Sequence, residues 1–319
     1  MFERVHDLLF ATAAATPERE ALVTHDPGAG RWSYRALAER AGALAAQLVG
    51  LGVAPGDRVA LFAHNGVEWV TGFFAALAAG AVVVPLNTAA DPHSLVHYVT
   101  DAGARVVIVG PRLERAVIAA GTGLGAITVV AAGANATVLA AQLPGAQVVT
   151  AVVEGGGAPT VEVKPGDRAA IIYTSGSTGR PRGAVLRHAN LIANVRSIVA
   201  YLELGADERA LAILPFYYVY GLSILTTTFA VGGAVIVENR FQYPTTALDT
   251  VAREQVTGMS GVPSTYAILM NRTDFAARLA GGLPALRWVT QAGGGMNPTL
   301  TRALHEALGP RRLFVMYGA

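Results

Sequence analysis

The chain has 319 residues, of which 52% are hydrophobic and 14% are charged, which is typical of a globular protein with a large hydrophobic core. Its 24 basic and 22 acidic residues form no long run and leave a net charge of +2, which argues against nucleic acid as the main partner. The lack of cysteine excludes disulfides, thiolate catalysis and Cys-ligated metals, and the scattered histidines predict no metal site.

The N-terminal residues carry acidic side chains and lack a basic segment ahead of an apolar one, so we expect no export signal and a cytoplasmic protein. Residues 210–237 contain no charge and are numerous enough to span a bilayer. However, Pro215, Gly221 and the pair Gly232 and Gly233 cut this stretch into pieces of strand and short-helix length. We therefore expect buried strands and no transmembrane segment.

Helix and strand patterns alternate along the first half of the chain. Ser33 is placed to cap a helix that carries apolar residues at helical spacing and stops near Gly50. Strands are predicted over residues 58–62, 81–85 and 105–109, and a helix runs between the first two of them. Residues 116–160 are rich in Ala, Gly and Val and predict only weak strands and loops.

The second half begins with a strand over residues 169–172, followed by a strand over 183–186 and then by a helix. Strands separated by helices imply right-handed crossovers and a mostly parallel sheet. The expected fold is therefore α/β, with two layered αβ subdomains over residues 1–165 and 166–319.

The loop between these two strands, within the segment YTSGSTGRPRGAV (173–185), is poor core material but well suited to bind anions. Gly176 and Gly179 permit positive φ angles, so that backbone N–H groups can point inward, and the neighbouring hydroxyl groups add donors. Arg180 or Arg182 can supply the positive charge that a polyphosphate requires. A flexible surface loop is the alternative, but the flanking strands and Pro181 favour a polyphosphate cradle.

A Walker-type loop, and with it a P-loop-like NTPase, is the rival interpretation. It requires a Lys after the last Gly and a helix directly after the loop. Here no Lys follows a Gly, and a strand is predicted after the loop. A P-loop-like NTPase is therefore much the weakest of the function classes considered.

The segment 173–183 resembles the phosphate loop of the adenylate-forming enzymes, which include acyl-CoA synthetases, aryl-acid ligases, luciferases and peptide-synthetase adenylation domains. The resemblance extends over essentially the whole chain. Further blocks similar to those of the family follow in order: WSYRAL (32–37), GDRV (56–59), AGAVVVPLN (79–87), LPFYYVYG (214–221), GVPS (261–264), QAGGG (291–295) and MYG (316–318).

The resemblance implies a two-step reaction. A carboxylate attacks the α-phosphate of ATP, with Mg²⁺ sharing the charge, to give an acyl-adenylate and pyrophosphate. The thiol of CoA, or of a phosphopantetheine on an acyl carrier protein, then displaces AMP. The substrates are therefore expected to be ATP and a small carboxylic acid.

The same resemblance nominates the site residues. Arg182 and Tyr218 are expected to be catalytic, with no metal ligand among the predicted residues. Residues expected to bind ATP are Thr174, Ser175, Gly176, Ser177, Thr178, Gly179, Arg182, Gly293, Gly294, Gly295, Tyr317 and Gly318. Residues expected to line the substrate pocket are Tyr218, Tyr220, Gly221, Gly261 and Val262.

Two positions depart from the family pattern. Arg182 stands where the family usually has Lys, which keeps the charge but changes its geometry to a planar fork. Tyr218 stands where the family often has His, and an aromatic ring there can either line the pocket or serve as ordinary core packing.

The family block at the C-terminal end normally continues with a Thr and a Glu. We therefore expect that the C-terminal part of the adenylation domain and the small C-terminal domain are absent from these residues. Alone, the chain would then be inactive. A degenerate nucleotide-binding module without turnover is the alternative to an acid-thiol ligase.

The acid is expected to be fatty, aryl or similar, and not an α-amino acid. A buried ammonium group needs a carboxylate partner, because an unpaired buried charge is costly. Residues 217–229, which are expected to line the pocket, contain no Asp or Glu.

Overall fold

The computed structural model describes residues 2–25, 30–155, 157–174 and 181–318. These residues form two compact units, of which the first comprises Met1–Arg19 and Ser33–Ser197 and the second Glu20–Trp32 and Ile198–Ala319. This division differs from the expected boundary at residue 165. The reason is that the two strands flanking the predicted phosphate loop pair with the sheet of the first unit.

The strands and helices alternate along the chain. In the described residues the strands are β1 (Glu20–Thr24), β2 (Gly30–Ser33), β3 (Arg58–Phe62), β4 (Val82–Pro85), β5 (Val106–Val109), β6 (Thr128–Ala131), β7 (Gln147–Thr150), β8 (Arg168–Thr174), β9 (Arg182–Arg187), β10 (Arg209–Ala212), β11 (Ala234–Val237), β12 (Gly258–Gly261), β13 (Trp288–Gln291) and β14 (Arg312–Val315).

The α-helices described are α1 (Asp7–Ala15), α2 (Tyr34–Gly50), α3 (Val67–Ala78), α4 (Pro92–Ala102), α5 (Glu114–Ala120), α6 (Ala136–Gln142), α7 (His188–Leu202), α8 (Val219–Ala230), α9 (Pro244–Arg253), α10 (Pro263–Arg272), α11 (Phe275–Gly281) and α12 (Pro298–Leu308). A short 3₁₀ helix spans Gly121–Leu124.

The sheet of the first unit has the strand order β7-β6-β5-β3-β4-β8-β9. Its strands pair in parallel, except that β9 returns antiparallel to β8. Strands β4 and β5 are buried along their whole length, as expected of parallel strands covered by helices on both faces.

The sheet of the second unit has the strand order β14-β13-β12-β10-β11-β1-β2. The pairs from β14 through to β1 are parallel. The two mostly parallel sheets with their covering helices confirm the predicted α/β class.

Several predicted elements are confirmed. Strand β3 has the predicted bounds, and β4 and β5 begin one residue later than expected. Helix α2 begins after Ser33, whose Oγ accepts a hydrogen bond from the N–H of Ala36 at 3.2 Å. Residues 116–160 are more regular than expected, because β6 and β7 extend the parallel sheet there despite their weak sequence pattern.

The uncharged stretch 210–237 folds as the end of β10, helix α8 and strand β11. The breaks at Pro215 and at Gly232 and Gly233 fall between these elements, as the sequence indicated. The break expected at Gly221 is wrong, because Gly221 lies inside α8, where it permits close packing against the carbonyl oxygen of Pro215. Within the described ranges, every helix is too short or too polar to cross a membrane.

A network of charges joins Glu20–Trp32 to the rest of the second unit. Arg31 donates to Glu20 Oε2 and Glu254 Oε2, both at 2.7 Å, and Arg209 donates to Glu20 Oε1 at 2.8 Å. Burial alone would raise the pKa of Glu254, but the hydrogen bond and charge of Arg31 outweigh it and the pKa is lowered. The buried Glu254 side chain therefore stays ionised and paired.

A buried histidine lies at the start of α7 in the first unit. His188 is 1% exposed, and its Nδ1 accepts a hydrogen bond from the N–H of Val5 at 3.1 Å. The ring of His6 packs edge-on against it with 5.8 Å between ring centroids. Burial lowers the pKa of His188 to about 4, so this ring is neutral in the folded protein at neutral pH.

We predict that this ring makes the stability of the protein depend on pH. The unfolded chain takes up a proton near pH 6.5, whereas the folded protein resists it until about pH 4. As the pH falls from 6.5 to 4, the free energy of unfolding should therefore decrease, and His188 alone should account for about 3 kcal/mol of the decrease. Urea unfolding of the wild type at pH 7, 6, 5 and 4 measures this loss.

The variant His188→Asn keeps an acceptor for Val5 but removes the titrating ring. It should lose less stability than the wild type over the same pH interval. The pH dependence of stability that remains in this variant is expected to come from His6. An identical dependence in the two proteins would contradict this prediction.

Candidate nucleotide and acid site

The predicted site residues of the second unit all follow strands of one parallel sheet. Tyr218 lies after β10, Gly261 ends β12 and Val262 follows it. The Gly293 to Gly295 turn follows β13, and Tyr317 with Gly318 follows β14. Because parallel strands point the same way, their carboxyl ends meet at one edge of the sheet, and these residues collect there.

The neighbouring strands β10 and β12 mark the point where the chain reverses direction across this sheet. From β10 the chain passes through α8 to β11 on one side, and from β12 it passes through α10 to β13 on the other. In open α/β sheets ligands bind in the crevice that such a reversal leaves at the carboxyl edge. The predicted pocket residues follow these two strands.

Tyr220 is held by a short chain of hydroxyl groups. Its Oη lies 2.7 Å from Thr290 Oγ1, which donates to Ser260 Oγ at 2.8 Å. Burial raises the pKa of Tyr220 to about 12, so the phenol stays protonated at neutral pH. Tyr218 is different, because its side chain is 47% exposed at the start of α8. Tyr220 can therefore offer a neutral polar group at the edge of the sheet, and Tyr218 offers an exposed side chain there.

Two of the predicted pocket glycines are explained by close packing. A Cβ on Gly221 would lie 2.0 Å from the carbonyl oxygen of Pro215, so α8 can approach the loop after β10 only with Gly there. A Cβ on Gly261 would lie 2.8 Å from Thr265 Cγ2. These glycines shape the wall of the crevice by letting other groups come close.

The turn after β13 depends on a residue that the sequence interpretation missed. Gly293 has φ +79°, the left-handed region that favours glycine. Gln291, which is 1% exposed, donates from Nε2 to the carbonyl oxygen of Gly294 at 2.7 Å and so holds the turn. A buried amide directly before a glycine run is the signal that could have revealed it.

A small cavity lies behind Tyr220. Its volume is about 20 Å³, which is room for about one water molecule. None of its lining side chains is charged: Ile198, Leu202, Ala210, Tyr220, Ser223, Ile224, Thr227, Thr228, Ser260, Trp288, Thr290 and Met316.

The predicted phosphate loop belongs to the first unit, where it joins the antiparallel strands β8 and β9. Thr174 and Arg182 pair across these strands and form the base of the hairpin. The strand expected after the loop is confirmed as β9, and α7 begins only at His188, unlike a Walker arrangement. The predicted residues Ser175, Gly176, Ser177, Thr178 and Gly179 lie outside the described residues.

Among the residues that the structure describes, no group of three or more His, Asp or Glu side chains is placed to hold a metal ion. His93 and His97 stand one turn apart on α4, a spacing typical of metal ligands that the sequence interpretation passed over. Within these ranges, no protein ligand is assigned to the Mg²⁺ that the resemblance implies.

Residues 9–319 match the family of AMP-binding enzymes, so the chain belongs to that family. The predicted resemblance to adenylate-forming enzymes is confirmed.

Relatives and solved structures agree with this assignment. The chain is 36% identical to a feruloyl-CoA synthase of Amycolatopsis sp. over 235 residues, which cover 73% of this chain and 44% of that protein. The N-terminal domain of FACL13 from Mycobacterium tuberculosis has a TM-score of 0.82 at 26% identity, over 100% of this chain and 76% of that one. VinN, solved in complex with L-aspartate, has a TM-score of 0.81 at 27% identity, over 99% and 76%. The chain spans about half the length of the curated relatives it matches.

We predict that Arg182→Ala weakens ATP binding by about 1.5 to 3 kcal/mol, the range for a hydrogen bond to a charged group. AMP binding should change little, because the predicted contact is to the β- or γ-phosphate. Isothermal titration calorimetry with ATP and with AMP measures both affinities.

Arg187→Ala is the matched control, because Arg187 ends the same strand and pairs with Arg168 at the far end of the hairpin. It should leave both nucleotide affinities unchanged. If Arg182→Ala reduced ATP and AMP binding equally, Arg182 would act elsewhere, for example in an ion pair that supports the fold.

Proposed function

We propose that this chain carries the nucleotide-binding and acid-binding part of an AMP-forming acid-thiol ligase. A carboxylate oxygen of the acid attacks the α-phosphorus of ATP, the bond to the bridging oxygen breaks, and pyrophosphate leaves. A thiol of CoA or of a carrier-bound phosphopantetheine then takes the acyl group and releases AMP. The observation that carries this proposal is the set of predicted residues at the carboxyl edge around the reversal at β10 and β12.

In this proposal each predicted group has a task. Thr174 and Arg182, at the base of the phosphate hairpin, bind the β- and γ-phosphates and stabilise the leaving pyrophosphate. The open backbone of Gly293 to Gly295 accepts the adenine and the acyl group, and Tyr317 stacks on adenine. Tyr218 faces the carboxylate that is activated. Supporting this last role, Tyr218 is exposed at the edge of the sheet and is not core packing.

The substrate class follows from the charge of the surroundings. Residues 217–229, which are expected to line the pocket, contain no acid. An α-amino acid would bring an ammonium group that needs a carboxylate partner. We therefore propose an aryl or fatty acid, in line with the feruloyl-CoA synthase among the relatives. The solved VinN complex with L-aspartate makes amino acids the rival class.

We predict that the full-length protein that contains this chain, supplied with ATP and Mg²⁺, exchanges labelled pyrophosphate into ATP when given ferulate, coumarate, benzoate or a fatty acid, whereas residues 1–319 alone should not. Neutral and acidic amino acids should drive no exchange. Thioester formation with CoA, followed by mass spectrometry, tests the second step.

Two results would contradict parts of this proposal. Exchange driven by amino acids alone would reverse the substrate class. ATP binding without exchange for any acid would instead support a nucleotide-binding module without turnover. The control is the Arg182→Ala variant, assayed with the acid that gives the fastest exchange. This variant should exchange pyrophosphate more slowly, because it binds ATP more weakly.

A further inference from the structure

Helix α4 contacts the strand that leads into the phosphate hairpin. Tyr173, the residue before Thr174 in β8, donates from its hydroxyl to Asp101 Oδ2 at 2.5 Å. Its ring packs against Tyr98 with 4.7 Å between ring centroids. Burial and the Asp101 carboxylate both raise the pKa of Tyr173, so the phenol keeps the proton that it donates. This is a charge-assisted hydrogen bond, which is stronger than a neutral one.

The same helix also contacts the residue that leads out of the loop. His97 Nε2 lies 3.4 Å from the carbonyl oxygen of Pro181, a contact that requires the proton on Nε2. The His97 ring meets the Tyr173 ring edge-on at 6.2 Å between centroids. Successive turns of one helix therefore contact both ends of the predicted phosphate loop, Tyr173 before it and Pro181 after it.

Helix α4 is itself fixed at both of its ends. Asp91 caps it by accepting from the N–H of Ser94 at 2.9 Å, and Gly103 ends it in the left-handed conformation. Arg58 donates to the carbonyl oxygens of Ala102 at 2.8 Å and Gly103 at 2.9 Å. A cation at the helix C-terminus also interacts favourably with the helix dipole. Both ends of α4 are thus held by hydrogen bonds, so α4 is a rigid element against which Tyr173 and Pro181 can be positioned.

We propose that α4 positions Thr174 and Arg182, the base of the phosphate hairpin, for ATP. Asp101 holds Tyr173, which precedes Thr174, and His97 holds Pro181, which precedes Arg182. This inference rests on the proposed function. Asp101, His97 and Tyr173 are positioning residues, because they act through the ends of the loop. The contribution is preorganisation, since side chains on a base that is already fixed lose less conformational freedom when they bind a polyphosphate.

The first test measures how readily the base of the hairpin opens without any nucleotide. Trypsin can cut the bond after Arg182 only when the pairing of β9 with β8 opens there, whereas Pro181 protects the bond after Arg180. Tyr173→Phe removes the hydrogen bond to Asp101 but keeps the ring packing, so cleavage after Arg182 in the apo protein should become about 5- to 20-fold faster. Tyr243→Phe, which alters a 63% exposed ring in the second unit, is the matched control and should cleave like the wild type.

The second test measures nucleotide affinity by calorimetry. Tyr173→Phe and Asp101→Ala should each weaken ATP binding about 5- to 20-fold and leave AMP binding unchanged, a selectivity that general destabilisation would not produce. The double variant should lose no more than either single one, because both remove the same contact. Asp101→Asn, which keeps an acceptor oxygen, should restore most of the affinity.

Wild-type rates of cleavage in Tyr173→Phe, or equal losses of ATP and AMP affinity, would overturn the inference. A wild-type protein that binds no ATP would overturn the proposed function. In that case the cleavage rates still decide whether α4 holds the hairpin, so the two failures can be told apart.

Discussion

Parallel pairing of strands is the constraint on which the rest of the structure depends. Because β10, β12, β13 and β14 run in the same direction, residues from distant parts of the chain end at one edge of the second sheet. Parallel strands also need helical crossovers, which bury the strands on both faces and leave the carboxyl edge for irregular backbone. The turn with Gly293 to Gly295 and the exposed Tyr218 and Tyr317 are found there.

Two sets of buried polar groups near this frame are paired, and each pairing restricts the structure. Glu254 is acceptable inside the second unit because arginines from β2 and β10 neutralise it. The hydroxyl chain from Tyr220 to Ser260 ties the start of α8 to two strands. Removing one partner of such a pair would leave a buried polar group without a hydrogen bond, at a large cost in desolvation. The pairs therefore fix how these elements are arranged more than they add net stability.

Local patterns predicted much of this fold. The cap at Ser33, the bounds of β3 and the breaks inside residues 210–237 follow from capping, periodicity and glycine chemistry, which act over a few residues. The unit boundary did not follow, because the pairing of β8 with β4 is a long-range contact. Gln291 and the contacts of α4 were also missed, since their roles depend on partners that no spacing rule reveals.

The position of β1 has a consequence for how the protein is made. This strand pairs with β11, so that Leu22 meets Val235 about 210 residues later in the chain. At synthesis rates of about 5 to 20 residues per second, an emerging β1 waits roughly 10 to 40 s for its partner. During that interval Glu20–Thr24 has an unsatisfied edge, while most of the first unit, up to Ser197, is being synthesised. We expect chaperones that bind exposed apolar segments early in translation to bind Glu20–Thr24.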